Sequence, residues 1–256
     1  MPIDIDISGQ KFILIFFRVG AILWLLPMFS TRALSVSYKA GLSLIISFLL
    51  FDLVNVNQTL GSDPYYMLLL IIKEIFIGLT ISFFVRILFS MVYVAGEVAA
   101  LQTGFAFARF MDPTTMTQVS ILEQFINILT IITFFAIDAH HVLIKGIFLS
   151  FKELPIGGAV LNNSLLYHIG SFTGKIFSIG LRIGAPLIIT LFIVDLALGL
   201  LSRMIPQINV FVEGMPMKIL ITFTVLSLSL GIMTTSIVNI FRGMDVEILK
   251  IMKLLV

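Results

Sequence analysis

Six long apolar runs divide this chain: Phe12–Phe29, Ala40–Val56, Tyr65–Ala95, Val119–Phe151, Ile176–Leu201 and Met217–Phe241. Polar or turn-forming stretches separate them. Ser30–Lys39 carries Arg32 and Lys39, and Asn55–Pro64 carries Asn55, Asn57, Gly61, Asp63 and Pro64. Lys152–Gly174 carries Pro155, Gly157, Gly158, Asn162 and Asn163, and Ser202–Pro216 carries Pro206, Gly214 and Pro216. Runs of this length predict membrane helices, because a segment in lipid must satisfy its own backbone polar groups. The predicted fold class is all-α, an integral membrane helical protein with over-long and broken helices. Tyr65–Ala95 would measure about 46 Å as one helix at 1.5 Å per residue. The hydrocarbon core is only about 30 Å thick, so that helix must tilt, bend or project. Val119–Phe151 poses the same problem, and Asp138, His140, His141 and Lys145 predict a break into two helices.

Charges interrupt these runs. Arg18 lies in the first, Lys73, Glu74 and Arg86 in the third, and Arg182 and Asp195 in the fifth. A charge deep in a bilayer costs about 2.5–3.5 kcal/mol on insertion scales. It persists where it faces a protein partner or a water-filled path. Arg18, Glu74, Arg86, Asp195 and Arg203 are therefore candidate intersubunit or intramembrane polar contacts. Asp195 and Arg203 sit two helical turns apart and suit pairing with other helices or a proton path. Polar and small residues also recur every four positions: Glu74, Gly78, Ser82, Arg86 and Ser90; Asp195, Gly199 and Arg203; and Ser227, Gly231, Thr235 and Asn239. Such residues share a helix face and let helices approach closely. The face packs either within the chain or against other subunits around a conduit.

Composition agrees with a membrane class. Of 256 residues, 59% are hydrophobic and 12% charged, against roughly 25% charged in an average soluble domain. Mean hydropathy is +1.13. A net charge of +2 is too small to suggest nucleic acid. Cysteine is absent, which excludes disulfides and thiolate metal sites. Met1–Gln10 carries Asp4 and Asp6 rather than a basic leader, so the first run is expected to be retained as a span. Six spans with the N-terminus inside would place Lys11, Lys145, Lys152, Lys175, Arg242, Lys250 and Lys253 inside. Arg32, Lys39, Arg109, Arg203 and Lys218 would lie outside. That split is too even to set an orientation and argues against a plain six-span topology.

Catalytic chemistry is hard to find. No HExxH, GxSxG or GxxxxGK[ST] occurs. His140 and His141 are adjacent, and neighbouring helical residues point about 100° apart, unlike the i, i+4 zinc pair. Asp138, His141 and Lys145 form at most a small polar cluster. The expectation is no catalytic, cofactor-binding or metal site, no cofactor and no enzyme activity. Residues 104–120, GFAFARFMDPTTMTQVS, are odd for a loop, with Phe105, Phe107, Phe110, Met111 and Met116. An aqueous loop is rarely so apolar. The segment either folds back on the bundle or forms a deformable constriction that gates by dewetting. In the second reading Gly104 frees the turn, and Pro113 fixes a bend and holds Asp112 extended.

Several stretches resemble the FliR family of flagellar type III export-gate proteins and their injectisome relatives. They are RVGAILWLLPMFS from Arg18, KEIFIG from Lys73, AGEVAALQTGFAFARFMDP from Ala95, LRIGAP from Leu181, and DLALGLLSRMIPQINVFVEGMPMK from Asp195. The resemblance covers nearly the whole length, and SRMIPQINVF is its most specific part. It implies FliP-like helices over 1–171, including the pore loop 104–120, followed by a FliQ-like helical hairpin and C-terminal tail over 172–256. It implies an assembly with FliP-like and FliQ-like subunits, with FlhB-like and FlhA-like components nearby. That assembly would conduct unfolded flagellar proteins across the bacterial inner membrane at the flagellar basal body. It would be partly raised toward the periplasm, with Gly104, Phe105, Phe107, Phe110, Met111, Asp112, Pro113 and Met116 as a plug. Membrane lipid is a further expected contact, and nucleic acid is not. The PQINVF form leans flagellar rather than injectisome. A small-molecule or ion transporter would show two related halves with broken helices, and no such repeat is present. A membrane enzyme would need a convergent set of reactive groups.

Overall fold

The computed structural model describes residues 5–29, 34–54, 63–104, 120–160, 162–205, 207 and 209–255. Among them every regular element is a helix, in keeping with the all-α expectation. In chain order these are α1 (Ile5–Leu25), α2 (Val36–Phe51), α3 (Pro64–Thr103), α4 (Ile121–Ala136), α5 (Ala139–Glu153), α6 (Asn163–Met204), α7 (Val210–Arg242) and α8 (Met244–Leu254). Four stretches are long and apolar enough to cross a bilayer: Ser8–Leu25, Pro64–Thr103, Asn163–Met204 and Val212–Leu254. The pair α4 and α5 makes a fifth if it counts as one broken span. α2, with 16 residues, is short of the roughly 20 that a span needs. The six apolar runs therefore do not become six equal spans.

Helix ends differ from the sequence expectation where capping overrides composition. α3 has 40 residues, about 60 Å at 1.5 Å per residue, and exceeds the expected run at its C-terminal end. α6 starts at Asn163, inside the stretch read as punctuation. Asn162 initiates it: its Oδ1 accepts from the Ser164 N–H at 3.0 Å, and its carbonyl accepts from the Leu165 N–H at 3.0 Å. A cap decides a start more strongly than a few polar residues do. Position 171/172 lies inside this uninterrupted helix. The break in the fourth run falls between Ala136 and Ala139, at Ile137 and Asp138. His140, His141 and Lys145 belong to α5 and do not mark the break.

The chain divides into two compact units. The first combines Met1–Ile87, Asp138–Thr173 and Arg242–Val256. Its core is built from Leu14, Ile15, Val19 and Ile22 of α1, Ile77 and Ile81 of α3, Ile147 of α5, and Ile248, Ile251 and Met252 of α8. α1 packs on α2 and α5 on α8. The α1–α2 pair carries a lysine over an aromatic ring at each end, Lys11 4.3 Å from Phe51 and Lys39 5.7 Å from Trp24. The second unit combines Leu88–Ile137 and Gly174–Phe241. At one end of its core Phe89, Phe134 and Phe241 meet with ring centroids 4.9–5.4 Å apart, in the tilted geometries that aromatic quadrupoles favour.

Candidate functional site

α3 ends beside the segment singled out in the sequence. The Thr103 hydroxyl donates to the carbonyls of Ala99 at 3.1 Å and Ala100 at 2.9 Å. Gly104 then turns the chain with φ 84, a left-handed conformation that glycine adopts without a Cβ penalty at a helix end. Sixteen positions on, at Ser120, α4 is opened by a capping box. The Ser120 hydroxyl accepts from the Glu123 N–H at 3.4 Å, and Glu123 Oε2 accepts from the Ser120 N–H at 3.1 Å. Gly96 of α3 lies against Glu123 and Ile126 of α4. Gly104 and Ser120, which flank residues 105–119, thus stand at the ends of α3 and α4 within the second unit. Phe105, Phe107, Phe110, Met111, Asp112, Pro113 and Met116 lie outside the described residues.

A polar contact ties the α6–α7 hairpin to the same place. Lys218 of α7 pairs with Asp195 of α6, and its Nζ donates to the Gln102 carbonyl in the last turn of α3 at 3.4 Å. A cation at a helix C-terminus favours the macrodipole and satisfies an orphan carbonyl. Gln102, Gly104, Asp195, Leu198, Gly214 and Lys218 line a cleft of about 360 Å³ there. Asp195 thus meets a residue that the sequence reading did not single out as its partner. Arg203 is exposed in the last turn of α6.

The first unit holds a fully buried polar node. Arg18 and Glu74 are fully buried, with Nε donating to Glu74 Oε2 at 2.5 Å. Arg18 Nη1 donates to the carbonyls of Ser150 at 2.8 Å and Leu154 at 3.0 Å, capping the C-terminus of α5. The guanidinium lies 4.2 Å from the centre of the Phe151 ring. Glu74 Oε1 accepts from the Gly157 N–H at 2.8 Å, and Lys73 Nζ donates to the Gly157 carbonyl at 2.9 Å. A desolvated pair depends on such further bonds; Arg18 Nη2 alone in this node is buried without a hydrogen-bond partner among the described residues. Below it, Gly78 lets α1 and α3 touch: a Cβ there would lie 2.6 Å from the Arg18 carbonyl. Ser82 donates to the Gly78 carbonyl at 2.5 Å and to the Ala21 carbonyl at 3.3 Å. Arg86, one turn on, is exposed.

Of the sequence candidates, the structure brings Arg18 and Glu74 together and leaves Arg86 and Arg203 on the surface. Sequence reasoning missed Lys218, the Gly157 amide and the capping box. Only the box had a readable signal, Ser120 followed three residues later by Glu123.

The sequence profile of the bacterial export proteins, family 1, matches residues 10–244. The flagellar biosynthetic protein FliR of Bacillus subtilis is 31% identical over 233 residues, covering 90% of this chain and 90% of that protein. FliR of Escherichia coli is 32% identical over 210 residues, covering 82% and 80%. FliR of Aquifex aeolicus is 29% identical over 243 residues, covering 92% and 93%. A match of this extent makes the chain a member of the bacterial export proteins, family 1.

Proposed function

We propose that this chain is a subunit of the flagellar type III protein export gate. With FliP-like and FliQ-like subunits it forms the channel through which unfolded flagellar proteins cross the inner membrane, and FlhB-like and FlhA-like components join it at the basal body. Residues 1–171 take the FliP-like role and 172–256 the FliQ-like role, in an assembly raised toward the periplasm. The chain contributes a path rather than catalysis. The loop 104–120 is the plug, and Gly104 gives it freedom to turn. What supports this reading is that the chain is held on either side of the segment, at Gln102 by Lys218 and at Ser120 by its capping box with Glu123. An apolar segment held at both ends closes a conduit by excluding water, and methionines part and re-close around a passing polypeptide.

Deleting Ala106–Thr117 tests the plug. A plug gives an assembled complex that leaks ions and slows growth. A segment that merely caps the bundle gives failed assembly without leakage. An intact, ion-tight complex after the deletion would refute the plug.

A further inference from the structure

We propose that Asp138, His140 and His141 form a site for a divalent transition-metal cation of the Zn2+ or Ni2+ type. The three sit at the first turn of α5, within the first unit. In a regular helix His140 and His141 would diverge, yet their ring centroids lie 4.1 Å apart. The Asp138 Oδ1 atom serves both, 3.3 Å from His141 Nδ1 and 4.0 Å from His140 Nε2. One donor atom from each residue lies within 4.8 Å of the other two.

The backbone at Asp138 is unusual as well. Asp138 holds φ 57 and ψ 24, and it is the one non-glycine residue with positive φ among the described residues. Such a conformation costs about 1–3 kcal/mol. Asp138 also stands at the N-cap of α5, where an aspartate ordinarily accepts an N–H of the first turn. Here it makes no capping bond. Its carboxylate is directed to the imidazoles instead.

Donor chemistry selects the ion. Two neutral imidazole nitrogens and one carboxylate suit Zn2+, Ni2+ or Cu2+ and not the all-oxygen preferences of Ca2+ or Mg2+. With metal–ligand bonds of about 2.0–2.1 Å, donors around a tetrahedral ion stand about 3.3 Å apart. The His141–Asp138 edge already has that length, so only the His140 ring must swing inward. Asp138 and His141 are 71% and 69% exposed, which leaves the ion's remaining positions open to water or to a ligand from another chain.

The test uses the full chain purified in detergent with a tag free of histidine, stripped with a chelator and titrated with Co2+. Bound Co2+ reports its coordination by visible absorption, and Zn2+ then displaces it. The expectation is one saturable equivalent, weakened at least about tenfold in Asp138→Gly and in His140→Gln/His141→Gln, since even outer-shell partners are worth about 10–100-fold. Asp138→Gly keeps the left-handed turn accessible, so its loss of binding is not a loss of fold. Two results overturn the proposal: no saturable uptake by the wild-type chain, or unchanged uptake by the double histidine variant, which would mean an adventitious ion only.

Discussion

Glu74, Gly78 and Ser82 of α3 all turn toward α1, where they meet Arg18 and Ala21 across the helix contact. Ser227, Gly231, Thr235 and Asn239 of α7 follow the same four-residue rhythm and are all exposed. A Cβ on Gly231 would meet nothing within 4 Å, and the Thr235 hydroxyl donates back to the Gly231 carbonyl of its own helix at 2.8 Å. The α3 face adds polar bonds between helices to the local one that Ser82 makes to Gly78. The other has at least one polar group satisfied locally and presents a small, smooth surface. Identical spacing thus serves two ends: the α3 face holds the chain to itself, and the α7 face is left for whatever lies beside it. Burial and the added cross-helix bonds separate the two, and sequence period does not.

If that contrast is right, the largest effect belongs to the buried pair. Arg18→Leu leaves the Glu74 carboxylate desolvated with the Gly157 amide as its remaining described donor. Removing one partner of a buried pair costs about 3–5 kcal/mol. A thermal melt of the detergent-solubilised chain should fall sharply, and Arg18→Leu/Glu74→Leu should recover much of the loss. A single variant that melts like the wild type would show that the pair is not holding α1 to α3.

Gly78→Ala comes next. Its Cβ would lie 2.6 Å from a backbone carbonyl and 2.7 Å from the Ala21 Cβ, so α1 and α3 must separate. Overpacking of this kind costs about 1–3 kcal/mol, readable in the same melt. Lys218→Met should follow, at up to about 1 kcal/mol, because its partner Asp195 is 41% exposed and such pairs contribute little. Its informative readout is ion leakage through the assembled gate. Leakage without a lowered melting point would place Lys218 in the mounting of the plug.

How far these sites were legible follows from what each depends on. The helices were legible because apolar runs longer than about 20 residues leave lipid-facing chains no other backbone solution. Arg18 and Glu74 were both visible as costly charges. Their pairing was not, because they stand 56 positions apart and no period links them. The other partners of Arg18 are carbonyls of Ser150 and Leu154, which carry no side-chain signature. Lys218 was hidden for the same reason, since it bonds a carbonyl and an aspartate on another helix. The start of α6 was missed because glycines and asparagines within Lys152–Gly174 looked like a loop, whereas Asn162 caps a helix that tolerates Gly170 and Gly174. The Asp138 carboxylate meets the imidazoles from a left-handed backbone conformation that no sequence period marks. Phe105 to Met116 lie outside the described residues, and their role as a plug rests on composition and resemblance.

The smallest effect on the isolated chain, and the sharpest on the comparison, belongs to Gly231→Leu. The side chain enters open space on an exposed helix face, so the melting point should move by no more than the roughly 0.5 kcal/mol usual for surface changes. Leucine is also a better helix former than glycine, which offsets any loss. Association should respond differently. A neighbouring helix seated against Ser227, Gly231, Thr235 and Asn239 would approach closely only over small residues, and a leucine in that seam would hold it off. Pull-down of the membrane subunits that accompany the tagged chain should therefore drop while the chain itself stays folded. The same substitution at Gly170, also open on its helix, separates a general effect of bulk from one confined to the α7 face. Full recovery of the accompanying subunits with Gly231→Leu would show that this face looks onto lipid, and the contrast with α3 would then be one of burial alone.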